Sequence, residues 1–493
     1  MNKFKNYISN NWVESNSNLY FKNLSPANVN DVIGEFPQSN SIDVGKAAEV
    51  AKSAFKMWKN IPAPKRGDIL RVAGDIFSRR KKELARIMTH EMGKPTFETE
   101  GDVQEAIDTC YYAASETRRL FGHTVPSEMN NKFNMAVRTP IGVCGIITAW
   151  NFPIAVPSWK IIPAIAAGNT VVFKPSEDSP HSAVIFAEIL EEAGLPAGVF
   201  NVVFGDGEVG SAMVEHPDIK LIGFTGSTAT GKKIASKCGE LNKKFSLEMG
   251  GKNPQIVMDD ANLDLALDGV LWGAFGTTGQ RCTATSRLIL HENVYDGFIE
   301  KLKSKATALK LGDGLMSETQ MGPVINRKAV DKIESYFEIA KQEGLNLVCG
   351  GRRTTEGELA NGNFILPTIY SDVPETSRLF QEEIFGPVLV VTKCNGLQDA
   401  ISKANNCQYG LSSSIFTNDV RNSMIAMQEL ESGITYINAP TIGAEAHMPF
   451  GGIKGTGNGH REGGWTVFDI FTEWKTIYID YSGSLQRAQI DNY

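Results

Sequence analysis

No two of the seven cysteines, at positions 110, 144, 238, 282, 349, 394 and 407, lie within three residues of each other. That spacing offers no CxxC clip for a metal. An odd, scattered set reads as free thiols in a reducing compartment. The opening, "MNKFKNYISNNW", lacks the apolar core of a signal peptide. No basic excess exists either: 49 Lys and Arg stand against 56 Asp and Glu, a net charge of −7, which argues against a nucleic-acid partner. Internal repeats and low-complexity tracts are missing. One uncharged run, residues 140 to 159, is long enough to cross a bilayer, but it holds Gly142, Gly145, Asn151, Pro153 and Pro157. Those breakers fit a buried strand, a turn and a helix better than a membrane span. The expectation is a cytoplasmic protein without membrane or nucleic-acid contacts.

What is present is ordinary globular material, 42% apolar and 21% charged. At 493 residues the chain is too long for one hydrophobic core, so two large domains are expected. Helical spacing of Val44, Ala47, Ala48, Ala51 and Phe55 predicts a helix over 41–58. A long amphipathic helical region follows over 65–92, stopped by Gly93 and Pro95. A further helix is predicted over about 102–120. From residue 140 the pattern becomes alternating. "VCGIITAW", "NTVVFKP", "VFNVVFG", "IKLIGFTG" and "KKFSLEMG" read as apolar strands with helices between them. Two-sided apolar strands alternating with helices predict a parallel, doubly wound sheet of the dinucleotide-binding type. A second α/β series runs over about 251–450. The tail "EWKTIYIDYSG" reads as a late strand outside both cores, an edge that a partner would cover.

Four stretches could carry chemistry. "IGFTGSTATGKKI" is strand, Gly-rich turn and helix, the arrangement that aims backbone N–H groups at an anion, although a plain turn with Ser227 as N-cap fits equally well. In "VVFKPSE", Lys174, Ser176 and Glu177 follow a strand end, where a carboxylate can accept from ribose hydroxyls; a solvated loop is the alternative. In "SLEMGGKNP", Glu248 ends an apolar strand, where desolvation would raise its pKa and suit it to general-base work. In "FGTTGQRCTATSRLIL", Cys282 sits in a loop of small and hydroxyl residues with no nearby His. It is either a nucleophile or a packing sulfur.

As an ordered set, these stretches resemble the aldehyde dehydrogenase superfamily. The resemblance spans nearly the whole chain. It is carried by "TAWNFP", "GNTVVFKPSE", "GFTGST", "LEMGGKNP", "GQRC", "EEIFGPV" and "MPFGGIKGTGNG". One departure is Glu-Met-Gly-Gly in place of Glu-Leu-Gly-Gly, a volume-conserving swap. The resemblance implies that Cys282 is the nucleophile, that Glu248 is the base activating water, and that Asn151 donates to the oxyanion with the Cys282 N–H. It implies NAD or NADP as cofactor. Lys174, Ser176 and Glu177 would lie at the adenosine ribose, Gly226 and Ser227 at the pyrophosphate, and Glu383 with Phe385 at the nicotinamide ribose. Trp150 and Lys160 would lie near the cofactor, and either Arg461 or Glu462 would join a proton route. It also implies three parts: a Rossmann-type cofactor domain (1–120 and 140–250), an α/β catalytic domain (251–450) and a β oligomerisation element (121–139 and 473–493) of a homodimer or homotetramer.

Arg281 precedes the nucleophile and could pair with a carboxylate or phosphate at the far end of a short substrate; a structural ion pair is the equal alternative. "GQRCTATSR", "GTGNGHREGG" and the tail most resemble enzymes of the 2-oxoglutarate semialdehyde group. Glyceraldehyde, aminoadipate semialdehyde and betaine aldehyde are alternative substrates. A CoA-acylating relative and a non-catalytic protein that retains the fold are the rival classes. Glu177 favours NAD, while Lys174 and Ser176 could accommodate a 2′-phosphate, so dual coenzyme use is expected.

Overall fold

The structure is a computed structural model that describes residues 2–491. Two seven-stranded sheets organise it. The first runs in spatial order Lys244–Glu248, Ile219–Thr225, Val143–Ile147, Thr170–Lys174, Phe200–Val202, Asn6–Ile8 and Asn11–Val13. The first five strands in that order are parallel. In chain order they stand 5-4-1-2-3, so the direction of winding reverses between Val143–Ile147 and Ile219–Thr225. That reversal opens a crevice beyond the carboxyl ends of these two strands. The two N-terminal strands close the far edge in antiparallel fashion.

The second sheet runs Asn346–Cys349, Thr368–Ser371, Val388–Cys394, Thr285–His291, Asn253–Val257, Ser412–Phe416 and Ile434–Ile437. It is parallel except for Asn346–Cys349, which pairs antiparallel at one edge. In both sheets the central strands are buried on both faces. Those of the first sheet read as nearly unbroken apolar runs for that reason, while Asn253–Val257 and Ser412–Phe416 carry buried polar residues at their starts.

A third sheet joins the tail to a distant hairpin. Thr472–Asp480 pairs antiparallel with Lys132–Pro140 over nine positions, and His123–Val125 lies on the other side. Its tail strand is an open edge bearing exposed Trp474, Tyr478 and Ile479.

The helix predicted over 41–58 is Ser41–Trp58, started by an Asn40 capping box. The long region over 65–92 is two helices, Ala63–Arg79 and Lys81–Met92. Arg80, at φ −93° and ψ 9°, breaks them, and its guanidinium is held by Glu83 and Glu188. A tertiary tie outweighs local propensity there. The helix predicted over 102–120 begins earlier and ends sooner, as Thr96–Glu116. The uncharged run 140–159 is the strand Val143–Ile147, a turn, and the start of helix Ala155–Ala167. No described helix is long and apolar enough to cross a membrane.

Candidate active site

The crevice at the winding reversal holds a cavity of about 280 Å³. Its walls bring together Trp150 and Asn151 from the first strand end, Gly226 and Ser227 from the fourth, Cys282 from the second sheet's side, and Glu383 with Phe385. Side chains scattered over more than 230 positions of sequence therefore share one space.

The loop that carries Cys282 is held by several independent bonds. Ahead of Cys282, the 3₁₀ turn Gly276–Gly279 places Thr277 and Thr278 at φ 50° and 57°, a left-handed conformation that costs energy for β-branched residues. Buried Glu98 holds it, accepting from the Thr277 N–H at 3.0 Å and from the Thr277 hydroxyl. The Gln280 side chain accepts from the Ile325 N–H at 2.9 Å. The Asn253 amide donates to the carbonyls of Cys282 and Ala284 at 2.8 and 2.9 Å. Gly251 packs so closely that a Cβ there would lie 2.3 Å from the Cys282 carbonyl.

Asn151 is anchored by the same logic. Its Nδ2 donates to the Gln280 carbonyl at 3.0 Å, which ties it to the nucleophile loop and leaves its second N–H for the cavity. The Lys94 ammonium donates to the Asn151 carbonyl at 3.1 Å, pairs with Asp102 at 2.7 Å and lies 3.9 Å from the Phe152 ring centroid. Asp102 accepts from the Ala155 N–H at 2.6 Å. The turn that presents Asn151 is thus clamped from below by a buried ion pair.

Burial and the negative charges of Glu248 and Glu383 push the Cys282 thiol up to about 12, opposed only in part by the N–H groups of Thr283 and Cys282. The resting thiol is protonated. Glu248 is buried at the end of strand Lys244–Glu248, and among the described residues its Oε1 has no hydrogen-bond partner. Desolvation pushes it up to about 8, against the pull of Lys160 and Arg461. It stands behind the cavity rather than in its wall, with Oε1 facing Gly451. Lys160 and Glu462, both buried, form a close ion pair beside it. Burial pushes Lys160 down to about 7, and the charges of Glu248 and Cys282 oppose this. Arg461 instead spends its Nη1 on the carbonyls of Gly452, Gly459 and His460. Of the two residues left open by the sequence, Glu462 is the one that meets Lys160.

Around the cavity, Trp150 and Phe385 meet edge to face at 5.6 Å. Phe385 has φ 63°. The Glu383 carboxylate accepts from the Gly251 N–H at 3.0 Å. Ser227 is the N-cap of helix Thr228–Glu240, as its alternative reading had it, and lines the cavity as well. Lys174, Ser176 and Glu177 stand apart from this cavity, at the end of the neighbouring strand Thr170–Lys174. There buried Lys174 donates to the Pro175 carbonyl at 3.0 Å and to exposed Glu177 at 3.3 Å. Arg281 is ion-paired: Nη2 meets Glu98 at 2.8 Å and Nε donates to Thr277 at 2.9 Å, and the guanidinium lies 5.3 Å from the Phe152 ring centroid and 4.9 Å from that of Trp272. It nevertheless lines the cavity, and among the described residues its Nη1 has no hydrogen-bond partner.

Sequence reasoning passed over Lys94, Glu98, Asp102, Glu105, Asn253 and Gln280. The acidic residues 98, 102 and 105 fall at i, i+4 and i+7, one face of a helix. Charges along one face of a helix that also carries apolar residues were the available signal.

The aldehyde dehydrogenase family model matches residues 12–477. The chain belongs to this family. It is 39% identical to the alpha-ketoglutaric semialdehyde dehydrogenase of Bacillus subtilis, over 97% of this chain and 98% of that protein. It is 41% identical to the alpha-ketoglutarate semialdehyde dehydrogenase of Haloferax volcanii, over 97% and 99%. Among solved structures, the betaine aldehyde dehydrogenase of Staphylococcus aureus in complex with NAD+ aligns with a TM-score of 0.95 at 34% identity, covering 98% of this chain and 96% of that one. As a member of this family the protein is an NAD(P)-dependent aldehyde oxidoreductase.

Proposed function

We propose that this enzyme oxidises a small acidic semialdehyde, of the 2-oxoglutarate semialdehyde type, to the corresponding acid. The observation that carries the reading is the Arg281 guanidinium, which lines the same cavity as Cys282 and Asn151 with Nη1 unclaimed. A guanidinium shielded by two aromatic rings suits the carboxylate end of a short substrate. The names of the two relatives at about 40% identity point the same way.

In this reading the Cys282 thiol gives its proton to water in the cavity, the thiolate attacks the aldehyde carbon, and Asn151 Nδ2 with the Cys282 N–H holds the oxyanion that the carbonyl becomes. Trp150, Gly226, Ser227, Glu383 and Phe385 fit a dinucleotide: an open helix N-terminus at Ser227 for pyrophosphate, a carboxylate for ribose hydroxyls, and an aromatic pair beside the thiol. Lys174, Ser176 and Glu177 would take the adenosine ribose. The bound nicotinamide supplies the hydride acceptor. Glu248 then activates water against the Cys282 thioester and passes the proton toward Lys160 and Glu462. Exposed Glu177, tethered only by Lys174, leaves room for either NAD or NADP. Residues 1–120 and 140–250 serve as the cofactor domain, 251–450 as the catalytic domain, and the third sheet as the contact of a homodimer or homotetramer.

An aldehyde panel assayed by NAD(P)H absorbance, without CoA, tests this. The expected result is the highest kcat/KM for 2-oxoglutarate semialdehyde, with turnover on both coenzymes. Preference for betaine aldehyde, glyceraldehyde or aminoadipate semialdehyde would contradict the substrate assignment, and dependence on CoA would contradict hydrolysis.

A further inference from the structure

Helix Thr96–Glu116 sends three carboxylates toward the active site from one face, and two of them are spoken for. Glu98 takes Arg281 and Thr277. Asp102 takes Lys94 and the Ala155 N–H. The third, Glu105, lines the cavity beside Arg281 and Cys282, and among the described residues its buried Oε2 has no hydrogen-bond partner. The two nearby cations are shared, Lys94 with Asp102 and Arg281 with Glu98, and their pull on Glu105 falls short of offsetting its burial. A carboxylate desolvated in this way keeps its proton. We propose that Glu105, as a neutral carboxylic acid, donates a hydrogen bond to the anionic end of the semialdehyde next to Arg281, and so sets the preference for acidic over cationic aldehydes.

The electrostatic surroundings agree. Burial, then the charge of Asp102, push Glu105 up to about 8, and Asp108 on the same helix adds to this. Arg281 from the nucleophile loop and Lys94 from the preceding loop pull the other way. Tyr436, on strand Ile434–Ile437, lies within electrostatic reach of both Glu105 and Cys282. Below pH 8 the acid form prevails and donates. Above it, the carboxylate form repels an anionic substrate. The proposal rests on the acidic-semialdehyde reading given above.

The test is the ratio of kcat/KM for 2-oxoglutarate semialdehyde to that for propanal, from pH 6.5 to 9.5, in wild type, Glu105→Gln and Glu105→Ala. Taking the ratio cancels the titration of Cys282, Glu248 and Lys160, which both substrates share. The wild-type ratio is expected to fall above pH 8. Glu105→Gln keeps a donor of the same shape, so it should hold the ratio at pH 7 and abolish the fall. Glu105→Ala should lower the ratio at pH 7 by roughly 10-fold or more, the worth of one hydrogen bond to a charged group. The dissociation constant of 2-oxoglutarate, read by tryptophan fluorescence from Trp150 and Trp159 in the cavity wall, should follow the same order. If wild type prefers the acidic substrate but all three proteins share one ratio and one pH profile, Glu105 plays no such part and the substrate reading survives. If wild type prefers betaine aldehyde and Glu105→Gln loses that preference, Glu105 acts as an anion and both readings fall.

Discussion

In the roles proposed for them, Cys282 and Glu248 are each in the wrong protonation state at neutral pH, and burial is the largest cause for both. The thiol is pushed up to about 12 and the carboxyl up to about 8. A base must be deprotonated to act, so turnover limited by Glu248 should rise as pH passes through about 8 and level off above it. A pH–kcat profile checks this, and Glu248→Gln should lose both the activity and the inflection. Cys282→Ala should lower kcat by roughly 10,000-fold or more, since it removes the covalent path altogether. Asn151→Ala should cost roughly 100- to 1,000-fold in kcat with little change in KM, because its free N–H meets charge only as that charge develops. Steady-state kinetics on both variants separates the two effects.

At the level of elements, the site depends on two irregular turns held by buried polar groups. The 3₁₀ turn before Cys282 keeps two threonines in the left-handed region because Glu98 and Gln280 over-determine it. Gly251 lets the neighbouring strand end pass within contact of the Cys282 carbonyl. Gly251→Ala should therefore shift the nucleophile, lowering kcat by roughly 100-fold. Its overpacking should cost about 1–3 kcal/mol of stability, read as a lowered denaturant midpoint. These turns also mark where the sequence stopped being legible. "GTTGQ" reads as a small-residue loop, and nothing local in it names Glu98, about 180 positions earlier, as its support. The break at Arg80 was hidden for the same reason: its partner Glu188 lies on another helix.

Over the whole molecule, the parallel series that builds the first sheet could be read from its largely apolar strands, because strands covered on both faces are mostly apolar. The strand-to-turn junctions at Asn151, Gly226 and Glu248 were legible with it. Glu383 was placed at the site by resemblance and Arg281 by its adjacency to Cys282; Glu105 was not legible, since it joins them only where two sheets face each other across the crevice. The tail strand, read as an edge in need of cover, pairs with Lys132–Pro140 and still exposes Trp474 and Tyr478. On the proposed reading of this edge as the contact between subunits, Tyr478→Asp should shift the protein to smaller mass in light scattering, since a charge on an apolar contact face disfavours association. The central claim is that one thiol carries the acyl group and one carboxylate releases it. Mass spectrometry of Glu248→Gln after incubation with NAD+ and 2-oxoglutarate semialdehyde tests it most directly. An acyl adduct confined to the peptide bearing Cys282 is the predicted result; full turnover by Glu248→Gln, or an adduct on any other residue, would contradict it.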